Sequence, residues 1–400
     1  LPRRQRQMCI RDRLNINYRY ALFGAIAFGF STYLIIILGV GHNTKALALG
    51  YLPLIIAGFL MVLREKYTKG FLISSLFLGL QVHANHYQMT YYTLIMLLVI
   101  VLVHYFSFIK LKEIKKIYKS LFVFVSIGFL ALLMNSPSLL ATKEYSEFST
   151  RSKSDITINA DGSAKESLSG LDKEYITEYS YGILESFNLI FPRFMGGGSS
   201  ERIREDSKLM NFIRSLDANQ AQQVYQYSKV YWGNQPIVAA PAYIGISIFF
   251  IFLLSILLVN DLNRKWILIA ISISLMLSWG KNFSFLTDLM IDYFPLYDKF
   301  RAVSSIQVII EFCIPLFAVI GLSKFFFNSS NDLQKLNSLK YVSVFLVSLI
   351  LVFYFFGTSL FDFKSDFEIF SQYPEILNLL IEERQHIFES DILRLSLIHI

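Results

Sequence analysis

The sequence predicts an all-α polytopic membrane protein with about nine transmembrane helices, a large extracytoplasmic loop and an interfacial helix. Three observations carry that expectation. More than half of the 400 residues are hydrophobic (54%), 37 are phenylalanine, and the mean hydropathy of +0.47 exceeds what a soluble core of this size requires. Apolar runs recur at lengths near the 20 residues that a membrane-crossing helix needs. Lysine and arginine gather in alternate connections between those runs, as the positive-inside rule demands of a multi-pass chain.

The ends are set aside first. "MCIRD" (Met8–Asp12) and "LSLIHI" (Leu395–Ile400) look like the two strands of one sequencing-library tag. Back-translating the second as CTG TCT CTT ATA CAC ATC, reverse-complementing it and shifting frame gives ATG TGT ATA AGA GAC, which encodes the first. Residues 1–13 and 395–400 therefore read as scars, and the natural gene is expected to extend past both. Removing Arg3, Arg4, Arg6, Arg11, Arg13 and Asp12 takes most of the excess out of the formal +7 charge, so the basic balance is no argument for nucleic acid. Of the two cysteines only Cys313 then remains, inside an apolar run, which leaves no disulfide framework or thiolate metal site.

Nine segments read as spanning: 21–40, 47–63, 71–88, 91–109, 121–141, 241–259, 266–279, 303–323 and 341–360. An inside start places "REKYTKG", "KLKEIKKIYK", "NDLNRK" and "KFFFNSSNDLQKLNSLK" on the cytoplasmic side of a bacterial inner membrane, each with a basic excess. The organisation is then residues 14–142 with five helices, 143–240 as the outer loop region, 241–360 with four helices and an interfacial segment at 280–302, and 361–394 as the start of an outer segment. Within the loop, "NADGS" reads as a turn, "SYGILESFNLIF" and "SERIREDSKLMNFIRSLDANQAQQVYQYSKV" as short helices, and "FMGGGSS" as a flexible break or a close backbone approach to a ligand.

Four polar groupings stand out. In "HANHYQMTYY", His83 and His86 are three apart and share a face if the helix continues. With His42 they form a possible metal set, and with Asn85, Gln88 and Tyr92 a wall suited to sugar hydroxyls; an interfacial aromatic anchor explains the same residues. His42 and Asn43 lie in the other short outer connection. Glu311 is an ionisable residue inside a spanning segment next to Pro315, which marks either a functional group or a hydrogen-bonded buried acid. Lys299 and Arg301 precede a spanning helix on the side where cations are disfavoured, and they suit a phosphate at headgroup depth or a salt bridge to Asp298 or Asp292. Outer-loop charges such as Arg151, Lys153, Asp155, Glu185 and Arg193 read mostly as solvated faces.

The blocks "FGFSTYLIIILGVGHNTKALALGYLPLIIAG", "HANHYQMTYY", "SGLDKEYITEYSYG", "YWGNQPIVAAPAYIG" and "SWGKNFSFLTDLMIDYFPLYDKFRAVSSIQVI" resemble YfhO-like bacterial membrane proteins of the Bacteroidetes type over essentially all of 14–360. Such proteins look like relatives of the GT-C glycosyltransferases. The resemblance implies transfer of a sugar from a polyprenyl-phosphate donor to an envelope glycan or lipid acceptor, with a divalent metal ion as a possible cofactor. It also implies an acidic residue in a first outer loop upstream of this chain. No catalytic residue carries over by an exact motif; by the chemistry of such a transfer Lys299 and Arg301 are candidates for the donor phosphate, and His42, Asn43, His83, Asn85, His86, Gln88 and Tyr92 for the cleft lining. A lipid-linked sugar transporter built around Glu311, or a membrane scaffold, are the competing classes.

Overall fold

The computed structural model describes residue 16 and residues 18–149, 171–327 and 332–399. Residues 1–13, expected as a scar, the expected "NADGS" turn, Arg151, Lys153 and Asp155 lie outside the described residues, and the backbone of the last helix runs on through residues 395–399, expected as the second scar. Among the described residues all regular structure is helical: α1 (Tyr18–Gly29), α2 (Thr32–Gly39), α3 (Asn43–Leu63), α4 (Tyr67–His83), α5 (Tyr87–Lys110), α6 (Ile114–Met134), α7 (Ser136–Ser146), α8 (Lys173–Thr177), α9 (Lys208–Ser215), α10 (Ala218–Tyr227), α11 (Ile246–Leu258), α12 (Leu262–Ser278), α13 (Ser284–Tyr293), α14 (Val308–Phe327), α15 (Asp332–Leu360) and α16 (Pro374–His399).

Five of these are long and apolar enough to cross a membrane: α3, α5, α6, α15, and α14 with the 3-10 turn that leads into it. Counting two bent pairs as one span each gives seven. The chain bends by 42° between α1 and α2, where Phe30 and Ser31 interrupt the helix, and by 114° between α12 and the Gly280–Tyr293 stretch. That second bend turns α13 sharply away from α12, within the segment expected to be interfacial. Two predicted spans fall on shorter elements: α4 has 17 residues and carries Lys69, Ser74, Ser75 and Gln81, and α11 has 13.

Burial ranks the helices from centre to rim. In α14, 83% of the most apolar window is buried, against 17% in α6 and 22% in α15, whose Phe122, Phe129, Phe345 and Phe355 point outward. In lipid such faces need no cover, so the order follows from packing alone. The tight contacts are made by small residues. A Cβ on Gly58 would meet Ser74 Oγ at 2.2 Å, and one on Gly321 would sit 2.7 Å from the Ser255 backbone, so α3 lies against α4 and α11 against α14 at backbone distance.

The loop region and the carboxy-terminal segment, expected as separate pieces, fold together. Phe187, Phe191 and Phe194 stack edge-on with Phe353, Phe361 and Phe388, all between 5 and 7 Å apart by centroid within their pairs (for example Phe194 to Phe388 at 5.2 Å). Arg384, only 1% exposed, clamps the joint: it donates to Glu368 at 2.7 Å and to the carbonyls of Phe363 and Lys229 at 2.8 Å. Arg204 grips Glu383 with two parallel hydrogen bonds of 3.1 and 3.0 Å. The triple glycine is part of this packing. Gly196 and Gly197 hold φ of 87° and 102°, and a Cβ on Gly196 would meet the Val230 carbonyl at 2.0 Å.

Candidate functional site

Helices α3 and α5 begin, and α4 and α12 end, at the same end of the bundle, where the loop unit also sits. A cavity of about 330 Å³ opens there between α2, the first turn of α3, the 179–188 segment, the 235–242 segment and the 301–307 turn. Backbone hydrogen bonds fix these walls. Tyr181 N–H donates to Ser278 O at 2.9 Å, Ser304 N–H to Tyr179 O at 3.1 Å, and the Thr32 hydroxyl exchanges hydrogen bonds with both the N–H and the carbonyl of Tyr243.

Lysine 45 is the least expected member. It lies in the first turn of α3, is 91% buried by residue area, donates to Ser305 Oγ at 3.1 Å and sits 5.1 Å from the centre of the Tyr33 ring. No carboxylate among the described residues pairs with it. The α3 N-terminus has no side-chain cap either, since His42 occupies the cap position without a capping hydrogen bond. Arg301 closes the other side of the cavity, its guanidinium over the Tyr175 ring and hydrogen-bonded to the Tyr175 hydroxyl. Two cations far apart in sequence, Lys45 and Arg301, thus share one polar chamber with His42.

The opposite wall carries Glu185, which is fully buried. It accepts from the Tyr231 hydroxyl at 2.6 Å, from Gln235 Nε2 at 3.0 Å, and from the backbone N–H groups of Gly182 at 3.0 Å and Asn234 at 3.4 Å. Burial raises its pKa above the usual carboxylate range, against the opposite pull of those four donors. Burial likewise raises the Tyr181 hydroxyl, which lies beside the Asn188 and Gln307 amides at geometry short of a full hydrogen bond. The floor therefore presents buried polar atoms that lack partners in the fold: Tyr33 and Tyr181 hydroxyls and Gln307 Nε2. Groups of this kind are satisfied by water or by a ligand.

The residues singled out from sequence divide between cavity and scaffold. His42 and Arg301 line the cavity. Lys299 instead pairs with Asp298 at 2.8 Å and is outside the lining, in keeping with the salt-bridge reading. His83 and His86 do not share a helical face: α4 ends at His83, Asn85 takes a positive φ of 58°, and α5 starts after His86. His83, Asn85 and Asn43 are exposed. Among the described residues no three His, Cys, Asp or Glu side chains converge as a metal set, so His42, His83 and His86 are not brought together for that purpose. His86 does sense the cavity. Burial, and then the Lys45 ammonium, push its pKa down to about 4. The rest of "HANHYQMTYY" is an anchor: Gln88 donates to Tyr92 at 2.8 Å and to the Arg301 carbonyl at 2.6 Å, and the Tyr91 hydroxyl donates to Pro295 O at 2.9 Å. Tyr92 is buried behind it. The tyrosines and glutamine thus hold the strand of chain that presents Arg301.

Glu311 lies one helical turn past Gln307 in α14, 1% exposed, with neither oxygen hydrogen-bonded and the equally unpartnered Ser31 hydroxyl beside it. Lys45 is not among the residues that the sequence singles out, and Glu185, expected with the other outer-loop charges on a solvated face, is instead fully buried because Tyr231, Gln235 and two backbone N–H groups close over it. Lys45 carries a usable signal: it is a cation at the end of an apolar segment, on the side expected to be the outer one, the same feature that draws attention to Arg301.

No family model, curated protein or solved structure matches this chain.

Proposed function

We propose that the protein is an integral membrane glycosyltransferase that moves a sugar from a polyprenyl-phosphate donor to an envelope glycan or lipid acceptor at the cavity end of the bundle. The observation that carries this reading is the buried Lys45, without an acid partner, facing the same chamber as Arg301 and an uncapped helix N-terminus. A phosphate placed there meets two cations and the positive end of the α3 dipole. In the transfer, the bond between the sugar's anomeric carbon and the phosphate oxygen breaks as the acceptor oxygen bonds to that carbon. The charge left on the phosphate falls to Lys45 and Arg301, and the acceptor's proton falls to a carboxylate. Glu185 is the carboxylate in the wall, and burial raises its pKa in the direction that makes a carboxylate a better proton acceptor.

The same reading takes all nine apolar segments as crossings of a bacterial inner membrane, α4 and α11 among them, with the cavity on the extracytoplasmic side. The basic excess in the connections at the opposite end supports that orientation. One observation favours a second reading: Glu311, a partnerless acid beneath the cavity floor, suits a carrier of lipid-linked sugar.

Reconstituted protein supplied with radiolabelled polyprenyl-phosphate sugars tests both. The expected result is label moving into lipid or polymer, reduced at least thirtyfold by Lys45→Met and by Arg301→Gln, and abolished by Glu185→Ala. Movement of labelled lipid between leaflets without transfer, lost in Glu311→Gln, would replace the enzyme by the carrier.

A further inference from the structure

At the end of the bundle away from the cavity, α5 and α12 part to leave a groove of about 510 Å³. Its walls are apolar and open to the surroundings: Phe106 is 69% exposed and Ile269 42%. Its rim carries three cations, Lys110 at the last residue of α5 and Arg264 and Lys265 in the first turn of α12.

The acids at this end are already engaged. Asp261 accepts from Lys324 at 3.1 Å and also faces Arg64. Glu65 and Glu113 both pair with Lys116, at 2.9 and 2.8 Å. Asp332 pairs with Lys335 at 3.3 Å. Among the described residues none of the three groove cations has a carboxylate partner. The two at the start of α12 also stand where the helix dipole disfavours positive charge, and an anion between them and Lys110 would reverse that cost. An occupant must therefore bring a negative headgroup at the rim and hydrocarbon below it, flush with Phe106 and Ile269.

We propose that this groove is a binding site for one anionic diacyl phospholipid, its phosphate between Lys110, Arg264 and Lys265 and an acyl chain along Phe106 and Ile269. The site is independent of the transfer reaction, because it lies at the opposite ends of α5 and α12 from the cavity. A bound lipid there bridges two helices that meet only along their length, and it sets the height of the bundle against the headgroup plane.

The test is retention of lipid by the full chain, purified in detergent and stripped of lipid, then titrated with phosphatidylglycerol or phosphatidylcholine and read by native mass spectrometry. One tight site for phosphatidylglycerol and none for phosphatidylcholine is expected. The triple variant K110Q/R264Q/K265Q should weaken it at least tenfold, from up to about fivefold per removed cation. A control triple, K112Q/K115Q/K119Q, removes equal charge from the same end outside the groove and should leave the site intact. Equal loss in both triples, equal binding of the two lipids, or displacement of the phosphatidylglycerol by equimolar polyprenyl phosphate would each overturn the proposal. If the first triple fails to fold, Phe106→Ser, which roughens the groove without touching its charge, should still lower affinity for phosphatidylglycerol.

Discussion

Replacing Lys45 by methionine separates a binding cation from a structural one. The side chain keeps its length and apolar stem but loses the ammonium, and the fold loses little with it. The hydrogen bond to Ser305 at 3.1 Å is charge-assisted and is worth roughly 1.5–3 kcal/mol. The contact with the Tyr33 ring at 5.1 Å adds about 0.5–2 kcal/mol. Against these stands the cost of holding a largely buried ammonium with no acid partner, which is several kcal/mol. The terms nearly cancel, so Lys45→Met should leave thermal stability in nanodiscs unchanged or raise it by about 1 kcal/mol. Binding of polyprenyl phosphate, measured by scintillation proximity on the same preparation, should weaken roughly thirty- to a hundredfold, the loss of one charge-assisted contact at about 2–3 kcal/mol. A gain in stability together with a loss of affinity is the mark of a residue kept for its ligand. Stability lower by more than about 2 kcal/mol, with affinity intact, would refute the reasoning and make Lys45 part of the scaffold.

Three further outcomes are expected. Arg384→Ala strands Glu368 and two carbonyls inside the loop unit and should cost about 3–5 kcal/mol, seen as rapid proteolysis between α15 and α16. Arg384→Lys should rescue only part of it, because a point ammonium cannot serve three acceptors in one plane. Gly321→Ala drives a Cβ into Ser255 and should lower thermal stability by about 1–3 kcal/mol, with Ser255→Gly restoring most of the loss when combined. For His86 the folded pKa of about 4 lies below the ordinary 6.5, so the folded state resists protonation: its share of stability is whole above pH 6.5 and drains away as pH falls toward 4. Allowing for the ring's partial exposure, His86→Gln should flatten the melting-temperature profile across that window by on the order of 1 kcal/mol; an unchanged profile would mean that the ring titrates freely.

The helices were legible because their evidence is local: each apolar run carries its own hydropathy, and each basic connection its own charge. The site was less legible because its contacts are not local. Lys45 meets Ser305 260 positions on, and Gln88 holds the Arg301 carbonyl across 213. The face shared by His83 and His86 was a natural inference from spacing, but Asn85 in the left-handed region ends the helix between them, and Asn is the residue that tolerates that region best after glycine. Glu185 looked ordinary in "GILESFNL", since only the fold shows that Tyr231 and Gln235 come to meet it. The triple glycine suits a flexible break or a ligand contact by composition; in the fold it is a close crossing of backbones instead.

The position of Lys45 resists any account that stops at folding. It stands in the first turn of α3, where the helix dipole repels a cation, at the end of an apolar span that disfavours charge, and it is 9% exposed. Each of these is a cost, and an acid within reach would remove all three. The fold supplies two neutral neighbours instead, Ser305 and Tyr33, and leaves the His42 cap position without a side-chain hydrogen bond. A bound phosphate would turn those costs into gains, because the dipole, the uncapped N–H groups and the burial would then act on opposite charges. On the proposed reading that anion is the donor's phosphate.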